Sequence, residues 1–159
     1  MVRNATFSDV EDILNIYAEA RIFMRQNGNP NQWSGAYPAK EDILCDIEQN
    51  LLYVVERDDK LVGVFFFAPG PDVTYKIIEH GEWLSDEPYC VIHRIASKTG
   101  AHGVFLEALN FCRETANHIR IDTHSDNTVM QHVLEKNGFS KRGIIYLLSG
   151  DERIAYEII

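Results

Sequence analysis

The chain has 159 residues, of which 15 are Lys or Arg and 24 are Asp or Glu, so its formal net charge is −9. This length suits one domain with its own core, and we expect a single domain over residues 1–159. The negative charge opposes nonspecific attraction to nucleic acid and to anionic membranes. The longest apolar run, at 61–68, is too short to span a bilayer. We therefore expect no nucleic-acid or membrane partner.

The N-terminus has neither a basic region nor an apolar signal stretch, so we expect the protein in the cytoplasm. Cys45, Cys90 and Cys112 are odd in number and widely spaced. Each lies in an apolar-patterned segment, which favours buried, reduced thiols over a disulfide. No metal site is predicted, because the histidines and carboxylates show no recognised ligand spacing.

Hydrophobic periodicity and turn residues divide the chain into alternating strands and helices. In chain order, the sequence predicts a strand (2–6), a helix (8–26), a loop (27–38), a short helix (40–50), a hairpin (51–70), an irregular segment with one short strand (69–88), a strand (89–96), a helix (104–112), a strand (118–124), a helix within 125–139 and a closing hairpin (140–159). This order predicts an α/β domain in which a mixed sheet carries about four helices on its faces. The unit at 89–124 supplies the parallel pairing.

Capping residues mark the ends of two of these helices. Ser8 and Glu11 have the spacing of a capping box, so the first helix should begin there. Asp126 or Asn127 can cap the start of the last helix, and Gly138 follows its end, where a positive φ is favoured.

The turn between the strand at 89–96 and the next helix is the most informative stretch. Residues 97–103, Ser-Lys-Thr-Gly-Ala-His-Gly, place a lysine and small residues where a helix begins. A helix start offers unpaired N–H groups and a positive dipole end. Open α/β sheets also bind their ligands at the carboxyl ends of strands. We therefore predict that this turn binds a phosphate.

Other motif matches fail on order, spacing or charge. Lys-Thr-Gly at 98–100 and Ser-Asp-Asn at 125–127 resemble two motifs of penicillin-recognising enzymes, but their order is reversed and no Ser-x-x-Lys accompanies them. The glycine patterns of P-loop and dinucleotide-binding proteins are absent. Gly-x-x-Gly at 100–103 is the loop of KH modules, which an acidic chain without a basic stripe disfavours.

The turn and the residues after it resemble the GCN5-related N-acetyltransferase (GNAT) family. The resemblance rests on the run 98–103 after a strand, on Asn127, on Asn-Gly-Phe at 137–139 and on the element order of nearly the whole chain. The family's loop reads Gln/Arg-x-x-Gly/Ala-x-Gly/Ala, and Lys98 departs from its first position while keeping a cationic donor. The resemblance implies an enzyme that moves an acetyl group from acetyl-CoA to a primary amine by direct attack in a ternary complex.

The resemblance also implies which residues hold acetyl-CoA. The backbone of the turn would grip the pyrophosphate, and main-chain N–H groups near 95–97 would polarise the thioester carbonyl. An asparagine at the next helix start would contact the pantetheine arm. The implied cofactor-binding residues are Ile95, Ala96, Ser97, Lys98, Ala101, His102, Gly103 and Asn127.

The catalytic groups are supplied unequally. His93 lies on the strand where many family members carry a glutamate, and an imidazole can accept the proton of an amine. A histidine that is only packed and hydrogen-bonded in the strand is the alternative. The tyrosine that family members often use as an acid is replaced by Leu134. Tyr146 and Tyr156 are substitutes that no spacing supports.

The acceptor side is the least defined. Trp33 and Tyr37 lie in the loop after the first helix, which borders the acceptor in the resembling family, although core packing is an alternative for each. Asp122 could bind an ammonium group, or it could pair with Arg120 on the same side of its strand. Further candidates for the pocket wall, from their proximity to the central strand, are Glu82 and Trp83.

Two classes of function stay open at this point. One is an N-acetyltransferase whose acceptor is a small-molecule amine or a protein amine. The other is a noncatalytic acyl-CoA-binding sensor or interaction module on the same fold, which the leucine at the acid position makes plausible. Strands near the C-terminus that are expected to be exposed are compatible with a homodimer.

Overall fold

A computed structural model of residues 1–159 shows one seven-stranded mixed sheet with helices on both faces. The strands are β1 Val2–Asn4, β2 Leu52–Arg57, β3 Lys60–Pro69, β4 Cys90–Ser97, β5 Ile119–Thr123, β6 Ser140–Tyr146 and β7 Glu152–Ile158. The helices are α1 Val10–Gln26, α2 Lys40–Glu48, α3 Val104–Arg113 and α4 Thr128–Lys136. The strand order is β1-β2-β3-β4-β5-β7-β6, and only β4 and β5 are parallel. The predicted mixed α/β fold is thus confirmed.

The sheet separates two apolar layers. The helices α3 and α4 bury residues such as Val104, Leu109 and Leu134 against one face of the sheet. The helices α1 and α2 bury residues such as Ile13 and Ile43 against the other face. No helix combines the length and apolarity needed to cross a bilayer.

Strands β4 and β5 separate soon after they begin to pair. Their parallel ladder contains only Cys90 with Ile119 and Val91 with Arg120. Beyond Val91, β4 has no partner on this side, so main-chain groups that a central strand would bond to its neighbour are left without a ladder partner. The gap opens toward the carboxyl ends of both strands, next to the turn at 98–103.

On its other side, β4 contains a bulge. Its register with β3 shifts between Val64 and Phe66, and Arg94 adopts a left-handed φ of 49°. A non-glycine residue adopts this conformation at a cost of about 1–2 kcal/mol. The Tyr17 hydroxyl donates to the Arg94 carbonyl at 2.8 Å, which holds the bulge in place.

The start of α1 differs from the prediction. The capping interaction forms two residues earlier than expected, because the Thr6 N–H donates to the Asp9 carboxylate at 2.7 Å. A short 3-10 turn, Phe7–Asp9, then leads into α1. The Ser8 hydroxyl bonds to the Thr6 hydroxyl instead of capping the helix. The Ser8/Glu11 capping box was therefore wrong.

Both the start and the end of the last helix are as predicted. The Asn127 Oδ1 accepts from the Met130 N–H at 3.0 Å, so Asn127 is the cap. Gly138 has a φ of 91° beyond the C-terminus. The predicted hairpin between β2 and β3 also forms, with Asp58 and Asp59 both at positive φ in its two-residue turn.

The segment between β3 and β4 contains no strand, contrary to the prediction. It forms a 3-10 turn, Val73–Tyr75, and its β-pairing with the sheet is one isolated bridge between Glu79 and Ile144. The thiols also differ in part. All three cysteines are free, but only Cys112 is buried, while Cys45 is exposed because α2 turns Ile43 and Ile47 inward instead.

Candidate active site

The turn at 98–103 presents unpaired main-chain N–H groups. Gly100 and Gly103 adopt left-handed φ values of 81° and 74°, which keep the chain tightly folded before α3. The Lys98 and Ala101 amides donate within the chain, to the Val62 and Lys98 carbonyls. The amides of Gly100 and Gly103 donate to no atom of the chain, so they and the first amides of α3 are free for a ligand.

Basic side chains surround these amides. The turn opens into a cavity of ≈ 540 Å³. Its charged lining residues are Arg57, Asp58, Lys60 and Lys98. Arg57 also donates to Glu107 of α3 at 3.2 Å, so Lys60 and Lys98 are the cations here without a carboxylate partner, and beside a helix N-terminus they suit phosphate groups. The Glu19 carboxylate of α1 also reaches the turn, because it accepts from the Thr99 N–H at 2.9 Å.

A second cluster of polar side chains, centred on His93, lies where β4 and β5 diverge. The His93 Nε2 lies 2.8 Å from the Asp72 Oδ2. The His93 Nδ1 lies 3.9 Å from the Asp122 Oδ2, beyond direct hydrogen-bond range. The Tyr75 hydroxyl donates to that same Asp122 oxygen at 2.6 Å. We call His93, Asp72, Tyr75 and Asp122 the His93 cluster.

The charges within the His93 cluster fix the orientation of the imidazole. Burial raises the pKa of Asp72, but hydrogen bonds from His93 and Thr74 outweigh it and lower that pKa to about 2. An ionised Asp72 accepts a hydrogen bond from Nε2–H, which leaves the lone pair of a neutral ring on Nδ1. Burial and the Asp122 carboxylate raise the pKa of Tyr75 well above its usual range, so its hydroxyl stays a donor.

Aromatic rings hold the imidazole from two directions. The ring centroids of Phe66 and Tyr75 lie 5.9 Å and 5.8 Å from that of His93. The Trp83 Nε1–H donates to the Tyr75 carbonyl at 2.9 Å and so supports Tyr75 from behind. Trp83 therefore acts through Tyr75, whereas the side chain of Glu82 is exposed.

The pairing of Arg120 with Asp122, left open by the sequence, does not form. Arg120 is buried and donates through Nε to Glu157 at 3.1 Å. Its guanidinium also stacks between the rings of Trp83 and Tyr89, 4.0 Å from each centroid. Asp122 is thereby left for the His93 cluster.

The two aromatics predicted for the acceptor side lie in different environments. Trp33 is buried and packs edge-on against Tyr17, with centroids 5.5 Å apart. Tyr37 is 41% exposed, and its hydroxyl accepts from Arg94 at 3.3 Å. Arg94 in turn forms an ion pair with Asp46. Trp33 is thus a core residue that supports the loop, and Tyr37 is the one that a ligand can reach.

No tyrosine is placed as a ready acid. Leu134 is fully buried among the apolar residues under α4. Burial raises the pKa of Tyr156 to about 12. The hydroxyl of Tyr146 donates to Glu79, which raises its pKa and directs it away from the His93 cluster.

Gln32 connects Asn127 to the loop between α1 and α2. The side chain of Asn127, besides capping α4, donates through Nδ2 to the Gln32 Oε1 at 2.8 Å. The Thr123 hydroxyl, at the end of β5, donates to the same oxygen at 3.4 Å. The Gln32 carbonyl accepts from Arg153 of β7 at 3.4 Å. Gln32 therefore fastens residues 27–39 to β5, β7 and α4.

Asp72 and Tyr75 were missed as site residues by sequence reasoning. Asp72 and Thr74 have the spacing of an Asx turn, which the structure contains, with the Asp72 Oδ1 accepting from the Thr74 N–H at 2.9 Å. That signal predicts a turn, but it does not indicate which strand the turn covers. The predicted residues His93 and Asp122 do come together, while 95–103 lie at the neighbouring end of β4.

Comparisons with known proteins agree on one family. Residues 1–140 match the acetyltransferase (GNAT) domain family. The chain is 25% identical over 151 residues to the uncharacterized N-acetyltransferase YesJ of Bacillus subtilis (strain 168), covering 87% of this chain and 81% of that protein. A GNAT-family acetyltransferase from Streptococcus agalactiae 2603 superposes with a TM-score of 0.90 at 30% identity, covering 100% of this chain and 94% of that chain. A putative acetyltransferase from Staphylococcus aureus Mu50 superposes with a TM-score of 0.71 at 27% identity, covering 99% of this chain and 97% of that chain.

Proposed function

Because the chain belongs to the GNAT family of N-acetyltransferases, we propose that it uses acetyl-CoA to acetylate a primary amine, with His93 as the base. The observation that carries this proposal is the setting of the imidazole. Its Nε2 is held by Asp72, and its Nδ1 faces Asp122 beside the gap between β4 and β5. A base held at one nitrogen and open at the other can take a proton from an incoming amine.

The residues near the turn fit the cofactor that the family implies. The free amides of Gly100, Gly103 and the start of α3, together with Lys98, would hold its pyrophosphate. Asn127 and the unpaired edge of β4 at 95–97 border the gap that would take the pantetheine arm and the thioester. When bound, acetyl-CoA supplies an activated acetyl group. The N–H groups of this edge that point into the gap are the available donors to its carbonyl oxygen.

Asp122 and His93 would share the amine. An ammonium nitrogen about 2.8 Å from each of two acceptors can bridge the 3.9 Å between the Nδ1 and the Asp122 Oδ2. The carboxylate would attract the cation, and the imidazole would remove the proton that must leave before the amine can attack. Tyr75 keeps Asp122 in position through its hydroxyl. Tyr37 would contact more distant parts of the acceptor.

The second proton transfer needs no tyrosine. Leu134 occupies the position where a tyrosine would stand, and burial raises the pKa of Tyr156 to about 12. A thiolate is a weak base compared with an alkoxide or an amide anion, so solvent water can protonate it. We therefore expect the pH dependence of kcat/KM to show a rising limb from the base without a falling limb from a tyrosine.

Thiol release from acetyl-CoA with a panel of primary amines tests the proposed function. We expect turnover with at least one amine class and a large loss of kcat in His93→Gln, which keeps a side chain able to bond to Asp72. Full turnover in this variant with an unchanged pH profile would make His93 structural. Saturable binding of acetyl-CoA without turnover above background would instead support the noncatalytic acyl-CoA-binding module.

A further inference from the structure

A polar cavity lies beyond the end of β5, and the mechanism above does not use it. Its volume is ≈ 420 Å³. The lining residues are Asn31, Ser34, His124, Ser125, Asp151, Glu152 and Arg153. They come from the loop after α1, the end of β5 and the turn between β6 and β7. The cavity is therefore closed on one side by the loop that Gln32 fastens.

Arg153 is the unusual member of this lining. The residue is only 6% exposed, and its guanidinium donates to the carbonyls of Glu152 at 2.9 Å and Gln32 at 3.4 Å. It makes no hydrogen bond to a carboxylate, although Asp151 and Glu152 line the same cavity. Only its two terminal nitrogens donate within the chain, and its Nε–H has no acceptor there.

Arg120, another buried arginine in the same sheet, shows which contacts Arg153 lacks. Arg120 is 4% exposed, and it has both a carboxylate partner, Glu157, and two aromatic rings on its faces. Burying a guanidinium without a counter-anion is costly, because main-chain carbonyls only partly replace its hydration. Arg153 thus has donors and a charge that no carboxylate of the chain bonds directly, although Asp151 and Glu152 line the same cavity, and these donors suit an anion.

The position of Arg153 relates the cavity to the His93 cluster. Strand β7 pairs with β5 so that Ala155 lies opposite Asp122, and paired residues place their side chains on the same face. Arg153 is two residues from Ala155, so it lies on that same face, about 7 Å further along the strand. An anion held by Arg153 would therefore lie within about ten ångströms of an amine held by Asp122 and His93.

We propose that Arg153 binds a carboxylate of the acceptor, so that the acceptor is a small aminocarboxylate rather than a simple alkylamine. This inference rests on the proposed function, because it assumes that the amine lies at the His93 cluster. A guanidinium binds carboxylate and phosphate groups alike. The acidic side chains of Asp151 and Glu152 in the same cavity repel a dianionic phosphate more strongly than a monoanionic carboxylate.

Matched substrates test the charge directly. The probes are glycine, β-alanine, longer unbranched ω-amino acids, L-alanine and L-lysine, each compared with its own primary amide. An amide keeps the amine and the carbon skeleton but loses the negative charge. We expect kcat/KM in thiol release to be at least roughly tenfold higher for one or more acids than for the matching amides, as for a lost hydrogen bond to a charged group.

Variants assign this preference to Arg153. Arg153→Gln should raise the KM for the preferred acid at least roughly tenfold and leave the KM for its amide nearly unchanged. Arg153→Lys should restore part of the preference, since it keeps the charge without the planar fork. Arg142→Gln is the control, because Arg142 lies on the adjacent strand, donates to the Glu82 carbonyl and does not line the cavity.

Two readouts keep this inference separate from the proposed function. Thermal shift and titration calorimetry measure binding of the same acids and amides whether or not turnover occurs. Acetylation of acids and amides with equal kcat/KM would overturn the inference and leave the proposed function intact. Binding of acids but not amides, lost in Arg153→Gln, without any turnover would support the inference and defeat the proposed function. Equal binding with no turnover would defeat both.

Discussion

The turn at 98–103 follows the end of β4 and the His93 cluster is centred on the middle of the same strand, but the two are built from different parts of the chain. The turn uses main-chain N–H groups of consecutive residues, and its side chains are small or exposed. The cluster uses side chains from β4, from β5 and from the segment before β4. We therefore expect backbone conformation, with the charge of Lys98, to decide binding at the turn, and we expect each functional group of the cluster to be needed individually.

Loss of the imidazole should have the largest effect. We expect His93→Ala to lower kcat by about 10²–10⁴, the usual contribution of a positioned base, with little change in the KM for acetyl-CoA. His93→Gln is the matched variant, because an empty site would leave Asp72 buried without its partner. Steady-state kinetics at saturating amine measure this. An equal loss of acetyl-CoA binding would show that the two regions are not separable.

Backbone conformation is tested at Gly103, which has a left-handed φ and whose missing side chain leaves the amides accessible. Gly103→Val should weaken acetyl-CoA binding by about 1–3 kcal/mol, the scale of a few lost charge-assisted hydrogen bonds. Gly150→Val is the control, since Gly150 has a φ of 91° and open space around it, in the turn between β6 and β7. Calorimetry should show weakened binding in the first variant alone. Unchanged binding in a folded Gly103→Val protein would place the phosphates elsewhere.

These two regions also differ in how far the sequence predicts them. The turn is local, so small residues after a strand were enough to locate it, and Lys98 and Gly103 lie where expected. The cluster depends on which face of the sheet the irregular segment covers. His93 and Asp122 were found by their strand positions, whereas Asp72 was missed because no local pattern reports a contact across 21 residues.

Two carboxylates with similarly low pKa values separate function from stability. The hydrogen bond from Arg3 lowers the pKa of Asp9 to about 2, and Asp72 reaches about 2 through His93 and Thr74. We expect Asp72→Asn to lower kcat roughly tenfold or more, because the imidazolium that forms on proton transfer loses its anion. Asp9→Asn should leave kcat unchanged. Equal kinetic effects in both variants would indicate a general loss of folded protein.

The stability of Asp9 variants should depend on pH in a defined direction. A carboxylate whose pKa is lowered by folding stabilises the protein above the unfolded value of about 3.9, and this contribution is lost as the pH falls toward about 2. Asp9→Asn should therefore reduce the free energy of unfolding by about 1–2 kcal/mol at neutral pH, since Arg3 is partly exposed and screened. Urea unfolding of both proteins should converge near pH 2.

Asn127 should give the smallest effect, divided between the two regions. Asn127→Ala removes a helix cap worth about 1 kcal/mol and should also raise the KM for acetyl-CoA. Asn127→Asp keeps an oxygen for the Met130 N–H but loses the Nδ2 donor to Gln32. A lower melting temperature in Asn127→Ala with unchanged KM in both variants would reduce Asn127 to a cap.

The contacts of Gln32 have a thermodynamic consequence for how each of the two ligands affects the affinity of the other. Gln32 accepts from Asn127, proposed to contact the cofactor, and from Arg153, proposed to bind the acceptor, so a ligand that fixes either partner also restrains residues 27–39. The ligand that binds first then carries the entropy cost of ordering that segment, and the second ligand binds without this cost. Linkage requires the effect to be reciprocal: whatever factor acetyl-CoA contributes to acceptor affinity, the acceptor must contribute to acetyl-CoA affinity. In Gln32→Ala the two affinities should become independent.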